Sequence, residues 1–194
     1  MKFILISVLL LVVQSIYAQN VGIGLNNPSE KLQVAGSVKA DAFKYSNPKI
    51  GVISIPAASF SKQFETGSLE KYPSSVFFNA PTNSSMLAPV SLPHNAIITA
   101  FTVYFNDQSV TEDMVVHLHF FNYLGFYSPI ASVISSGSGG FINVTDNTIL
   151  PGFTRVNNLL GSYSIEAYSS TGTWSGSDMQ IMGVVITYTV AETN

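Results

Sequence analysis

Residues 97–123 read IITAFTVYFNDQSVTEDMVVHLHFFNY. Ile97, Phe101, Val103 and Phe105 fall on one side of a two-residue period, with Thr99 between them. After the turn-forming Asn106-Asp107-Gln108-Ser109 the alternation resumes, and Met114, Val116, Leu118 and Phe120 share a side. Successive side chains of a strand point to opposite faces, so this spacing predicts strands that bury one face. The apolar residues are largely β-branched or aromatic, which suits a pleated surface. Two such runs joined by a polar turn predict antiparallel neighbours.

The same grammar continues on both sides. Strand-length apolar runs occur at Ile50–Ile55, Met86–Leu92, Ser128–Val133, Tyr163–Tyr168 and Gln180–Val190. In the last of these Met182, Val184, Ile186, Tyr188 and Val190 share a face, and turns such as Ser136-Gly137-Ser138-Gly139-Gly140 separate the runs. No segment holds a helical period. Residues 48–194 therefore predict an all-β, helix-free, antiparallel β-sandwich of the jelly-roll kind, with seven or eight strands.

Composition narrows the function. The chain has 194 residues, 10% of them charged, 8 Lys+Arg against 11 Asp+Glu, and no cysteine. A net charge of −3 lacks the basic surface that neutralises a nucleic-acid backbone. The absence of cysteine excludes disulfide scaffolds, thiolate metal sites and thiol nucleophiles. Charge is also unevenly spread. Residues 19–71 carry six lysines and four acids, whereas 72–194 carry only Arg155 as a strong base, with seven acids.

Residues 1–18 predict a secretory signal peptide. Lys2 is the positive start, and Phe3 to Val13 is apolar except at Ser7. Ala18 is the small residue before a cut at Gln19. Eleven apolar residues fall well short of the roughly 20 that span a bilayer. The mature protein is expected to be exported, whether periplasmic, cell-surface or extracellular, with no integral membrane segment after removal of the signal.

Residues 19–47 form a separate stem in this reading. Asn26-Asn27-Pro28-Ser29 is turn chemistry. Leu32, Val34, Gly36, Val38 and Ala40 then alternate with polar or small residues, as in a half-buried strand. So short a segment cannot build a core alone, and the following domain or other copies of the stem must cover this face.

The stretch VGIGLNNPSEKLQVAGSVKA resembles the segment V-G-I-G-T-x-x-P-x-x-K-L-x-V-x-G-x-V-x-A of exported Bacteroidetes-type surface proteins and phage tail-fibre-like proteins. Val21, Gly22, Ile23, Gly24, Pro28, Lys31, Leu32, Val34, Gly36, Val38 and Ala40 lie on the pattern, and Leu25 replaces Thr. The resemblance implies a fibre-like, trimeric stem ahead of a binding or processing domain. It assigns no catalytic residue. APVSLPHNAIITAFTVYFNDQS also resembles sandwich modules that follow such stems, where Leu-Pro-x-Gly-Ala precedes a long strand, with Asn95 here in place of glycine.

Few residues offer chemistry. His117 and His119, two apart on one strand, project from the face opposite Leu118; with His94 they are the candidates for a metal site, although no carboxylate stands at a diagnostic spacing. Asn106, Asp107, Ser109, Glu112 and Asp113 form an oxygen-rich loop without the pattern of a calcium site. Glu112, Asp113 and Glu166 supply carboxylates for a glycosidase pair only if folding unites them. Trp174, with Tyr168 upstream, and Phe126 with Tyr127 are aromatic residues of expected loops that can stack on sugar rings.

Three functions follow. The first is a non-catalytic structural or adhesive surface protein, a homotrimer whose stem presents the head. The second is a carbohydrate-binding module using loop aromatics, and the third a secreted polysaccharide hydrolase. No cofactor is expected; the partners are further copies of the chain, and a surface glycan or another exported protein.

Overall fold

The face shared by Met114, Val116, Leu118 and Phe120 is buried, as are Phe101, Val103 and Phe105. A computed structural model describes residues 20–64, 67–79, 82–137 and 139–192. The signal peptide and the cut before Gln19 lie outside them. The strands are β1 (Val21–Ile23), β2 (Leu32–Val34), β3 (Lys44–Pro56), β4 (Ser61–Lys62), β5 (Leu69–Lys71), β6 (Val76–Phe78) and β7 (Met86–Val90). There follow β8 (Ile97–Asp107), β9 (Met114–Asn122), β10 (Tyr127–Ile134), β11 (Gly140–Asp146), β12 (Gly161–Ser169) and β13 (Met179–Glu192). Two three-residue 3-10 turns are the only helical elements among the described residues.

The protein is all-β. From Lys44 on, the strands form an antiparallel β-sandwich. One sheet has the order β10-β9-β12-β7-β4 and the other β11-β8-β13-β6-β5, with β3 also on β13. Phe60, Phe78, Phe101, Phe105, Met114, Leu118, Ile165, Met179 and Trp174 fill the core. No helix among the described residues is long and apolar enough to cross a membrane.

Two bulges correct the expected faces. The ladder shifts between Thr187 and Tyr188 opposite Ile98, so Ile98 enters the core and Ile97 stays half-exposed. A second shift between Ile181 and Gly183 buries Ile181 and leaves Met182 on the other side. One extra residue inverts the alternation beyond it. At the head of β8, Asn95 has φ 64°, the left-handed region that asparagine tolerates better than most residues and glycine occupies freely.

The chain divides after Phe43. This is four residues before the boundary expected at 48, because β3 already pairs with β13 at Lys44, opposite Glu192. In the preceding unit β1 and β2 form a short parallel ladder, Val21 to Leu32 and Ile23 to Val34. The expected strand through Ala40 ends at Val34, and Gly36 at φ 145° carries the chain out of the ladder. Val38 and Ala40 are exposed outside any strand. Val21, Ile23 and Leu32 are more than half exposed.

Where β8 ends, Asp107 is wholly buried. Its carboxylate accepts from Ser135 Oγ at 2.5 Å and from the Ser109 amide at 3.1 Å, while Ser135 Oγ accepts from the Met114 amide at 2.8 Å. One carboxylate thus ties the β8–β9 turn to the end of β10. Burial pushes its pKa up against the two hydrogen bonds that lower it, and Asp113 adds to the rise. The folded state therefore holds this proton more tightly than the unfolded chain. Its contribution to stability is full at acid pH and falls as pH rises from the ordinary carboxylate range through the raised value. Asp107→Asn is expected to remove that component from the stability–pH curve in urea unfolding. Asp107→Ala should cost about 3 kcal/mol at acid pH by orphaning two donors.

Candidate functional site

The sandwich has two outer faces, and one carries an aromatic row. The outward side chains of β9 are Val115, His117, His119 and Phe121, which alternate with the core residues. Register places Ser162, Ser164, Glu166 and Tyr168 of β12 beside Phe121, His119, His117 and Val115. On the other flank Tyr127 of β10 lies beside Phe121, Pro129 beside His119 and Ser132 beside His117.

The rings touch in sequence. Tyr127 and Phe121 have centroids 5.9 Å apart and 20° between planes; Phe121 and His119 are at 5.6 Å and 29°. His119 meets His117 edge-on at 5.4 Å, and His117 lies 5.5 Å from Tyr168. The row runs from the Tyr127–Phe121 pair to the Tyr168–Val115 pair, six residues of strand or roughly 20 Å. Tyr127 is 63% exposed, whereas His119 is 3% exposed beneath its neighbours.

Polar groups are set among the rings. His117 Nε2 and the Tyr168 hydroxyl are 2.8 Å apart. His119 Nε2 is 3.2 Å from Glu166 Oε2, at ion-pair distance but outside hydrogen-bond alignment. Burial lowers the pKa of both histidines; Glu166 opposes this at each, the Ala131 carbonyl also at His117, while His117 reinforces it at His119. Burial, then Glu166, raises the Tyr168 phenol. At neutral pH the face thus presents neutral imidazoles, a phenol, serine hydroxyls and one carboxylate.

The expected aromatic site is rearranged. Trp174 is fully buried, donates from Nε1 to the Ser84 carbonyl at 2.8 Å and packs on Phe78, so it offers no face to a ligand. Tyr168 sits on a strand, and Tyr127 opens β10 beside Phe121. Phe126 is exposed in the β9–β10 turn, where Asn122 Oδ1 accepts from its amide and from that of Leu124. Sequence reasoning did not include Phe121, although it continues the two-residue period of His117 and His119.

The other candidates separate. His94 Nδ1 accepts from the Asn158 amide and, with Arg155 and Glu192, lines a different cleft. Among the described residues no group of three or more His, Asp or Glu is disposed to hold a metal ion. Glu112 accepts from Ser175 Oγ, and the Asp113 amide is bound by Ser170. Glu166 lies four residues before Ser170, which follows the end of β12, and has His119 as its partner.

No protein-family model and no curated protein matches the chain. Among solved structures it is similar to a xylan-binding module, CBM15, at 13% identity and TM-score 0.49, over 72% of this chain and 97% of that one. It is similar also to the C-terminal CBM6 of LamC, a marine laminarinase from Zobellia galactanivorans, at 15% identity and TM-score 0.46, over 71% and 99%. A family 29 carbohydrate-binding module complexed with mannohexaose aligns at 10% identity and TM-score 0.36, over 76% and 94%. Likenesses this low assign no role to any residue of this chain.

Proposed function

We propose that this is an exported, non-catalytic protein whose head binds glycan on the outer face of the β10-β9-β12-β7-β4 sheet. The observation that carries the reading is the continuous row Tyr127, Phe121, His119, His117, Tyr168, flanked by Glu166 and serine hydroxyls. Sugar rings present apolar C–H faces rimmed by hydroxyls. The exposed Tyr127 ring and the partly exposed Phe121, His117 and Tyr168 rings, in one row with the buried His119 and with Glu166 and serine hydroxyls among them, offer partners to both parts. Binding places no demand on paired carboxylates, and Glu166 stands apart from Glu112 and Asp113. The test is affinity for a panel of soluble polysaccharides. Tyr127→Ala, at an exposed position, should lower affinity about tenfold, roughly 1.4 kcal/mol, with the melting temperature little changed. Absence of binding across the panel would defeat the reading.

The segment before Lys44 serves, in the same proposal, as an oligomerising stem. Its apolar β1–β2 face has no described residue in the hydrophobic core, and a two-stranded ladder is marginal by itself. Copies of the chain would cover that face and present several heads, which multiplies weak sugar contacts through avidity. A homotrimer is expected for residues 19–194. Leu32→Asp or deletion of residues 19–43 should shift it toward monomer in light scattering, while a monomeric intact chain at tens of micromolar would remove the stem proposal.

A further inference from the structure

His119 is a buried titratable group that stacking on a sugar does not require. Neither of its ring nitrogens has a well-aligned hydrogen-bond partner. It lies against Phe121, with Tyr127 at 6.0 Å, His117 edge-on, and Glu166 at 3.2 Å. The titratable groups facing it are His117 from its own strand, Glu166 and Tyr168 from β12, and Tyr127 from β10. Ser132 of β10, beside His117, has its amide bound by Asp146 at 2.9 Å. Across β12, β7 presents Leu87 and Pro89, and no Lys or Arg occurs in β7, β9, β10 or β12.

We infer that this face takes an uncharged glycan and releases it on acidification, with His119 as the group that takes up the proton. The inference rests on the glycan-binding reading. A polyuronate or sulfated chain would meet the Glu166 carboxylate with no cation on these four strands to receive it; the sheet's Lys62 stands on the edge strand β4, two strands beyond the β12 that carries Glu166. An uncharged chain suffers no such repulsion, and its hydroxyls can donate to Glu166. Once seated, it covers the Glu166 carboxylate and offers it hydroxyl donors, while His119, 3% exposed, is already out of water. A carboxylate engaged by sugar hydroxyls attracts a proton on His119 less, so bound glycan should lower the His119 pKa further. Linkage is reciprocal: if glycan weakens proton binding, proton binding weakens glycan to the same degree. Protonated His119 also draws the Glu166 carboxylate into an ion pair and away from sugar hydroxyls.

The sign is fixed by these states. Affinity is highest above the free-state histidine pKa and falls as pH drops through it. Lowering one imidazole pKa by one unit on binding gives about tenfold in affinity. The experiment uses the full mature chain with a soluble mannan, a xylan, a β-1,3-glucan and a polyuronate, at about pH 7.5 and about pH 5. Expected is binding of at least one uncharged polymer near pH 7.5, none of the polyuronate, and a severalfold loss near pH 5, with the one-unit shift giving about tenfold only below both pKa values. His119→Gln should reduce that pH ratio toward one, whatever its affinity at either pH. Imidazole Cε1–H titrations of the folded protein, followed by NMR with and without the bound polymer, should give a lower His119 pKa when bound. An equal or higher bound pKa, or equal affinity at both pH values, would overturn the inference and leave the glycan reading standing. Binding of the polyuronate would likewise overturn the inference alone, and failure of every polymer, charged or uncharged, to bind near pH 7.5 would overturn both.

Discussion

Trp174→Ala should lose most or all of the fold's stability. The ring is fully buried, packs on Phe78 at 5.5 Å, and its Nε1 satisfies the Ser84 carbonyl. Truncating a large buried aromatic costs about 3–5 kcal/mol. An unpaired buried carbonyl adds about 1–3 kcal/mol when the cavity does not admit water. Domains commonly have only 5–15 kcal/mol in hand. Trp174→Phe keeps one aromatic ring against Phe78 but removes the N–H and the volume of the second fused ring, so its cost should fall between wild type and the Ala variant. Urea unfolding should show the Ala variant largely unfolded or shifted to much lower denaturant, with Phe intermediate. A Trp174→Ala protein of unchanged midpoint would mean that the ring lies outside the core.

Gly161→Ala should also be clearly destabilising, through a single methyl group. Gly161 begins β12 opposite Asn122, and a Cβ there would collide with the Phe121 carbonyl oxygen and the Phe120 ring. A backbone oxygen cannot rotate aside, so the β9–β12 pairing must open locally. Overpacking of this kind costs about 1–3 kcal/mol and more where backbone is the obstacle. Phe121 belongs to the ring row, so the same variant should weaken glycan binding beyond its effect on folding. Thermal melting and affinity together check this. A stable variant with unaltered affinity would show that the β12 end has room that the packing denies.

The strand pattern was legible because burial on one face writes a two-residue period into β8, β9 and β13. Their bulges were not, since an inserted residue depends on the partner strand and leaves no local composition mark. β11 escaped notice despite Ile142 and Val144 pointing inward, as its Gly-rich approach reads as turn. The histidine face could be seen from the spacing of His117 and His119. Glu166 could not be joined to it, because strand register sets β12 against β9 across more than forty residues. Trp174 misled for a physical reason: Ser, Thr and Gly around it indicate a loop, but a loop residue can still turn its ring into the core.

The most direct test of the glycan-binding face is amide chemical-shift mapping of the mature protein during titration with the tightest-binding polysaccharide of the panel. The expected result is a contiguous set of changes over 115–121, 127–132 and 162–168, with residues around Trp174 and the outer face of the β11-β8-β13-β3 strands unaffected. Changes centred instead on the Phe126 turn, on the cleft of His94 and Arg155, or on the opposite sheet would contradict the assignment of the ring row as the binding surface.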